Sequence, residues 1–194
     1  MFVVTGCFYE PFRTFLQKNL WLLIVTSVIS IIIFYAIIYV RSASRTVPLN
    51  FILLAIFTLC ESYSVVFTTI RYDNEIVAMA AILTAAVVIA LTAYACTTKT
   101  DFTVCGGLLF VCGMVLLVGS LLAIFIRNRI FQLIISCFSV LLFSIYLIYD
   151  TQLILGKGEL KLTVDDYIFA AMNLYLDIIM LFLEILKLLG GGRD

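Results

Sequence analysis

Six stretches of the chain are apolar for long enough to cross a bilayer as helices, and short polar turns separate them. They run over about 20–40, 49–70, 76–96, 102–126, 130–150 and 167–189. At 1.5 Å rise per residue, about 20 such residues span a hydrocarbon core of ~30 Å. Trp21 lies near one interface of the first run, and Tyr35 and Tyr39 lie near the other. The turns hold the charges: Arg41 and Arg45, then RYDNE at 71–75, TTKTD at 97–101, RNR at 127–129 and GKGELKLTVDD at 156–166. Both prolines, Pro11 and Pro48, fall outside the runs, and Gly156 and Gly158 are placed to end the helix before them. Residues 1–19 begin apolar and turn polar too soon to span. The pattern predicts an all-α membrane protein of six transmembrane helices forming one domain over 1–194.

The last run differs from the others. YIFAAMNLYLDIIMLFLEILKLL carries Asn173, Asp177 and Glu184 at spacings that return to one stripe of a helix. An ionised carboxylate at bilayer depth costs at least ~3 kcal/mol, so that stripe must face protein or a water-filled cavity. The C-terminal helix is therefore expected at the centre of the bundle, wrapped by the others. Gly106, Gly113 and Ser120, seven apart on the fourth run, read as a packing stripe.

Composition agrees with the pattern. Hydrophobic residues make up 64% of the chain and charged residues 12%, about half of what a soluble domain of this size carries. Net charge is zero, so no basic face points to nucleic acid. Histidine is absent, which excludes His-ligated zinc, a Ser-His-Asp triad and a histidine pH switch. Neither YD nor LGxGE supplies the paired aspartyl motifs of an intramembrane protease, and no enzyme is expected. Six cysteines (7, 60, 96, 105, 112, 137) show no CxxC spacing and read as small buried hydrophobes, with Cys7 the one placed to meet an oxidising lumen. Basic residues on the two sides of the membrane number five and seven, which leaves the orientation open.

Four acids lie in or at the ends of apolar runs: Glu61, Asp150, Asp177 and Glu184. On the fifth run Gln132, Ser136, Ser139, Tyr146 and Asp150 return to one face within about 40°. If Asp150 and Asp177 meet, two charges at short range in low dielectric do not both ionise cheaply, and one proton is shared. Such a pair senses pH and, when deprotonated, offers hard oxygen ligands to Ca²⁺ in transit. The plainer reading is that each aspartate caps or bonds a neighbouring helix.

Three segments carry a specific resemblance. IYDTQLILGKGELKLTVDDYIFAAMNLYLDIIMLFLEILKLLG at 148–190, TKTDFTVCGG at 98–107 and VPLNFILLAIFTL at 47–59 resemble the transmembrane Bax-inhibitor-motif family, most strongly its Lifeguard and glutamate-receptor-associated branch. The resemblance covers nearly the whole chain in order. It implies a seven-helix fold with six helices around a central C-terminal one, in endoplasmic reticulum or Golgi membranes. It also implies a pH-sensitive Ca²⁺ leak and inhibition of apoptosis. The family's paired aspartates, its proton sensor, match Asp150 in YDTQ and Asp177 in LYLDII. Arg41 is the nearest match to a basic residue that latches onto the pair, and Glu61 resembles an acid of Golgi-type members. Asn173, Glu184, Ser139 and Tyr146 are expected to line the ion path. The beginning of the chain resembles only the end of the family's first helix and the loop after it, so most of that helix is expected to be missing, with 2–9 as its remnant. Implied partners are the lipid bilayer, Ca²⁺ and H⁺, and Bcl-2-type or death-receptor-pathway proteins; no cofactor is implied. A non-conducting regulator that acts by binding such proteins, and a Ca²⁺/H⁺ exchanger, stay open as alternatives.

Overall fold

The computed structural model describes residues 18–126, 128–156 and 164–191, without the side chains of Arg41, Ser42 and Val164. Cys7, the expected remnant at 2–9, Pro11, Gly158 and the Arg41 side chain lie outside this description. Among the described residues the structure is helical without strands: α1 (Leu20–Tyr39), α2 (Arg41–Arg45), α3 (Leu49–Thr69), α4 (Asn74–Thr97), α5 (Gly106–Phe125), α6 (Arg129–Leu155) and α7 (Tyr167–Gly190). Short 3₁₀ turns, Thr103–Cys105 and Val164–Asp166, precede α5 and α7. All but α2 are long and apolar enough to cross a membrane. Of these six, α7 has the largest buried share, 33% of its apolar window against 11–28% for the rest.

By contacts the chain divides into two units. One holds residues 1–77 and 164–172, the other 78–163 and 173–194. In the first unit α1 packs along α3, where Val66, Phe67 and Ile70 form a small core with Leu23 and Tyr63 against it. The turn expected at 41–48 contains the short helix α2. Its Arg45 guanidinium holds Asp166 Oδ1 from two nitrogens, at 2.7 and 3.2 Å. Fully buried Asn50 donates to the Tyr167 hydroxyl at 2.7 Å, which ties the first turn of α7 to the start of α3.

In the second unit α5 and α6 pack through Leu109, Leu116 and Leu142, flanked by Cys112, Ile135, Phe143, Tyr146 and Tyr149. Asn128 caps α6, its side-chain oxygen accepting from the amides of Ile130 and Phe131. The helix runs on to Leu155, five residues past the charged position where the apolar run stops. Gly156 then ends it in the left-handed conformation (φ 63°), its amide bonding back to the carbonyls of Gln152 and Leu153. The first turn of the fourth run is 3₁₀ instead of α because Asp101 draws both the amide and the hydroxyl of Thr103, at 2.8 and 2.6 Å.

Hydroxyls within the spans close on their own helices. Thr26 bonds the Leu22 carbonyl at 2.9 Å, Thr58 that of Leu54 at 2.8 Å, and Ser144 that of Val140 at 2.7 Å. Lipid offers no substitute partner, so this i−4 bonding is how isolated hydroxyls become tolerable there. Three expectations are corrected. Ser120 faces outward, and Gly119, against Ile135, packs in its place. Gln132 is exposed, one turn beyond the buried part of the α6 stripe. Cys96 and Cys137 are exposed and Cys105 and Cys112 half-buried, leaving Cys60 as the buried thiol among those described.

Candidate functional site

The second unit brings two acids together. Asp150, near the end of α6, and Asp177, in the middle of α7, are 8% and 7% exposed, and their carboxyls share a hydrogen bond. Ionised carboxylates are acceptors only, so a bond between two of them requires one proton on the pair. The second oxygen of Asp177, Oδ2, is buried and makes no hydrogen bond among the described residues. A buried acceptor of this kind strongly favours whatever supplies positive charge or a proton to it.

The neighbours of the pair include Tyr146 and the serines of the predicted α6 stripe, and also Tyr149, which lies outside that stripe. Tyr146 lies within electrostatic reach of Asp177, Cys112 and Asp150, and Tyr149 within reach of Asp150. Ser136 and Ser139 are buried further up the same face. Ser139 donates its hydroxyl proton to the Ile135 carbonyl at 2.8 Å, which leaves the oxygen's lone pairs as acceptors. Asn173, one turn before Asp177, is half-buried. Glu184, two turns beyond Asp177, pairs through Oε1 with Lys187 at 2.6 Å, while its Oε2 is buried and makes no hydrogen bond among the described residues.

What holds α6 in place is a set of contacts to α5 and the link before it. The Tyr146 hydroxyl donates to the Leu109 carbonyl at 2.8 Å. Gly113 and Gly106 make room for the hydroxyls of Tyr146 and Tyr149, which lie 2.8 and 2.9 Å from where β-carbons would stand. These glycines are the packing stripe expected from the seven-residue spacing. Beyond Asp150, Gln152 bonds the α4–α5 link through both ends of its amide.

Of the other expected site residues, Glu61 is half-buried on α3 in the first unit, and Arg41 opens α2 there. On α2 the basic side chain with a described acidic partner is that of Arg45, one turn on, and the partner is Asp166. Gln152, Arg45, Asp166 and Asn50 were passed over in the sequence. Gln152 stood in quoted YDTQ, but a helix assumed to stop at Asp150 left it in a loop. No group of three or more Cys, Asp or Glu suited to a metal ion occurs among the described residues. Two carboxyls alone supply fewer ligands than the six to eight oxygens of a resident Ca²⁺.

Fold and site together define a multi-pass membrane protein with a buried pair of acids on two of its spans. A family profile described as "Inhibitor of apoptosis-promoting Bax1" matches residues 1–194, and the chain belongs to that family. Its relatives include the Golgi anti-apoptotic protein of vaccinia virus (strain Lister), 37% identical over 182 residues that cover 94% of this chain and 74% of the viral one. Protein lifeguard 4 of Mus musculus is 36% identical over 182 residues, covering 94% and 74%. Protein lifeguard 3 of Mus musculus is 32% identical over 191 residues, covering 96% of this chain and 62% of its own.

Proposed function

We propose that this chain suppresses apoptosis from an endoplasmic reticulum or Golgi membrane by a pH-sensitive Ca²⁺ leak, with Asp150 and Asp177 as the proton sensor and gate. The observation that carries the reading is the hydrogen bond between two carboxyls buried in membrane spans. Intramembrane acids are expensive and mark ion or proton paths. A coupled pair of acids loses its protons in two macroscopic steps, and each change in proton number changes the charge a passing cation meets. Location and the link to cell death follow the names of the relatives, a Golgi anti-apoptotic protein and two lifeguard proteins.

The test is Ca²⁺ flux into proteoliposomes across pH for the wild type, Asp150→Asn and Asp177→Asn. Each variant keeps a hydrogen-bonding amide at the site and removes one titrating group, so the pH response is expected to flatten in both. An unchanged flux and pH response in both would rule the pair out as the gate. Stoichiometric counter-movement of H⁺ would replace the leak with an exchanger. Zero flux at every pH, together with protection of cells that survives both substitutions, would replace it with a non-conducting regulator.

A further inference from the structure

The side chain of Gln152 is 2% exposed, yet both ends of its amide are used. Oε1 accepts from the amide of Phe102 at 2.8 Å, and Nε2 donates to the carbonyl of Thr100 at 3.0 Å. Thr100 and Phe102 belong to the link between α4 and α5, where no helical ladder satisfies the backbone. Asp101, between them, is occupied in capping Thr103. The Gln amide carries donor and acceptor on one planar group, which matches a carbonyl and an N–H two residues apart. Nothing about ending a helix requires this, since Gly156 already ends α6.

The position of Gln152 matters because Asp150 is two residues before it. Four residues before Asp150, Tyr146 is fastened to the Leu109 carbonyl of α5. The turns that carry Asp150 are thus fixed at both ends to α5 and to the link that leads into it. Sliding or rotating this part of α6 against α5 breaks one fastening or the other. The bond between the two carboxyls, in turn, needs them within about 3 Å of each other. We infer that Gln152 is a positioning residue that sets the height of Asp150 opposite Asp177 by locking the end of α6 to the α4–α5 link. The inference rests on the reading of the pair as a proton-sharing gate. The other titratable groups in reach of the pair are Tyr146 and Tyr149 on α6, and, through Tyr146, Cys112 on α5.

Two sets of variants test it in the full chain. Gln152→Met keeps length and bulk and removes both bonds. Phe102→Pro removes the amide that Gln152 accepts from, at a residue whose φ of −83° lies close to the proline range; Phe102→Ala controls for loss of the ring. In proteoliposomes, Gln152→Met is expected to displace the pH midpoint of Ca²⁺ flux by about half a unit or more, a threefold change in proton concentration. Phe102→Pro is expected to displace it in the same sense by less, and Phe102→Ala to leave it in place. A wild-type midpoint in Gln152→Met, with only the amplitude reduced, overturns the inference. If wild-type flux is absent at every pH, it is the leak reading that fails. The inference is then decided by the infrared carboxylic-acid band lost in Asp150→Asn. Its titration midpoint moves in Gln152→Met if Gln152 positions the pair and stays if it does not. Should Gln152→Met fail to elute as a folded species, the comparison of Phe102→Pro with Phe102→Ala decides by the same readouts.

Discussion

The hydroxyl of Tyr146 lies 2.8 Å from where a β-carbon on residue 113 would stand, and residue 113 is glycine. That notch gives the hydroxyl its path to the carbonyl of Leu109, the residue one helical turn before Gly113. An alanine there would meet the far end of a ring that is wedged between helices and also bonded. The contact therefore couples a glycine on α5 to the residue next to the acid pair on α6.

Gly113→Ala is expected to destabilise the protein by about 1–3 kcal/mol through overpacking. Tyr146→Phe alone is expected to cost about 0.6 kcal/mol, the usual worth of a hydrogen bond between membrane helices. The two effects are not expected to add, because a phenylalanine no longer has the oxygen that the new methyl meets. Unfolding by SDS titration in mixed micelles, run as a double-mutant cycle, measures the difference. Additive costs would show that the ring and the notch do not touch.

The acid pair makes a second stability prediction that needs no transport assay. Asp150→Leu takes away the carboxyl that Asp177 bonds and leaves Asp177 a buried acid with neither oxygen satisfied. The expected loss is about 1–3 kcal/mol. Changing both to Leu removes the pair and its desolvation cost together, so the double variant is expected to be more stable than Asp150→Leu alone. The same SDS titration reads this, and a double variant that is worse than the single would argue for a further partner that needs Asp177 itself.

The spans and the acids were legible because each follows from one strong energetic rule. Lipid demands long apolar runs, and a carboxylate within such a run must turn inward, so Asp150 and Asp177 advertised themselves. Gly106 and Gly113 were legible as a packing face, although the tyrosines that fill it were not. Gln152, Arg45 and Asn50 were hidden because each acts on a partner at least 50 residues away, or more than 100 in the last two cases. Neither period nor composition encodes such a distance. The α6 boundary was hidden because Asp150 ends the apolar run five residues before the helix itself ends. The last turn, Thr151–Leu155, is carried past the charge by the buried side chains of Thr151, Gln152 and Leu153, and Gly156 then ends it.

In the first unit, two polar contacts tie the start of α7 and the turn before it to the α2–α3 region, and their burial ranks them. Arg45 and Asp166 are part-exposed, so the ion pair is expected to contribute no more than about 1 kcal/mol and to weaken with salt. Asn50 is fully buried; it donates to Tyr167 and accepts from the Phe51 amide at 2.8 Å. Asn50→Ala is expected to cost about 1–3 kcal/mol, since it strips partners from buried groups. Thermal melts in detergent at low and high salt check both statements. Arg45→Ala should shift the melt less than Asn50→Ala and lose its effect in salt. A larger loss for Arg45→Ala would mean that the ion pair, and not the buried amide, fixes α7.

At the other end of α7, Glu184 presents an unusual combination for a membrane span: one oxygen paired to Lys187 and the other buried without a hydrogen bond among the described residues. The Lys187 side chain is 47% exposed and that of Glu184 12%, so removal of either partner should have unequal effects. Lys187→Met leaves a mostly buried carboxylate without its counter-charge. It is expected to destabilise the protein, by about 1 kcal/mol or less because the pair is partly solvated. Glu184→Leu removes the unsatisfied oxygen and leaves only an exposed lysine, which extends to the interface at little cost. That variant is expected to be neutral or stabilising. The order of the two in SDS titration is the measurement. If Glu184→Leu proves the more destabilising, the buried oxygen has a partner beyond Lys187, and the carboxylate belongs to the structural framework of α7.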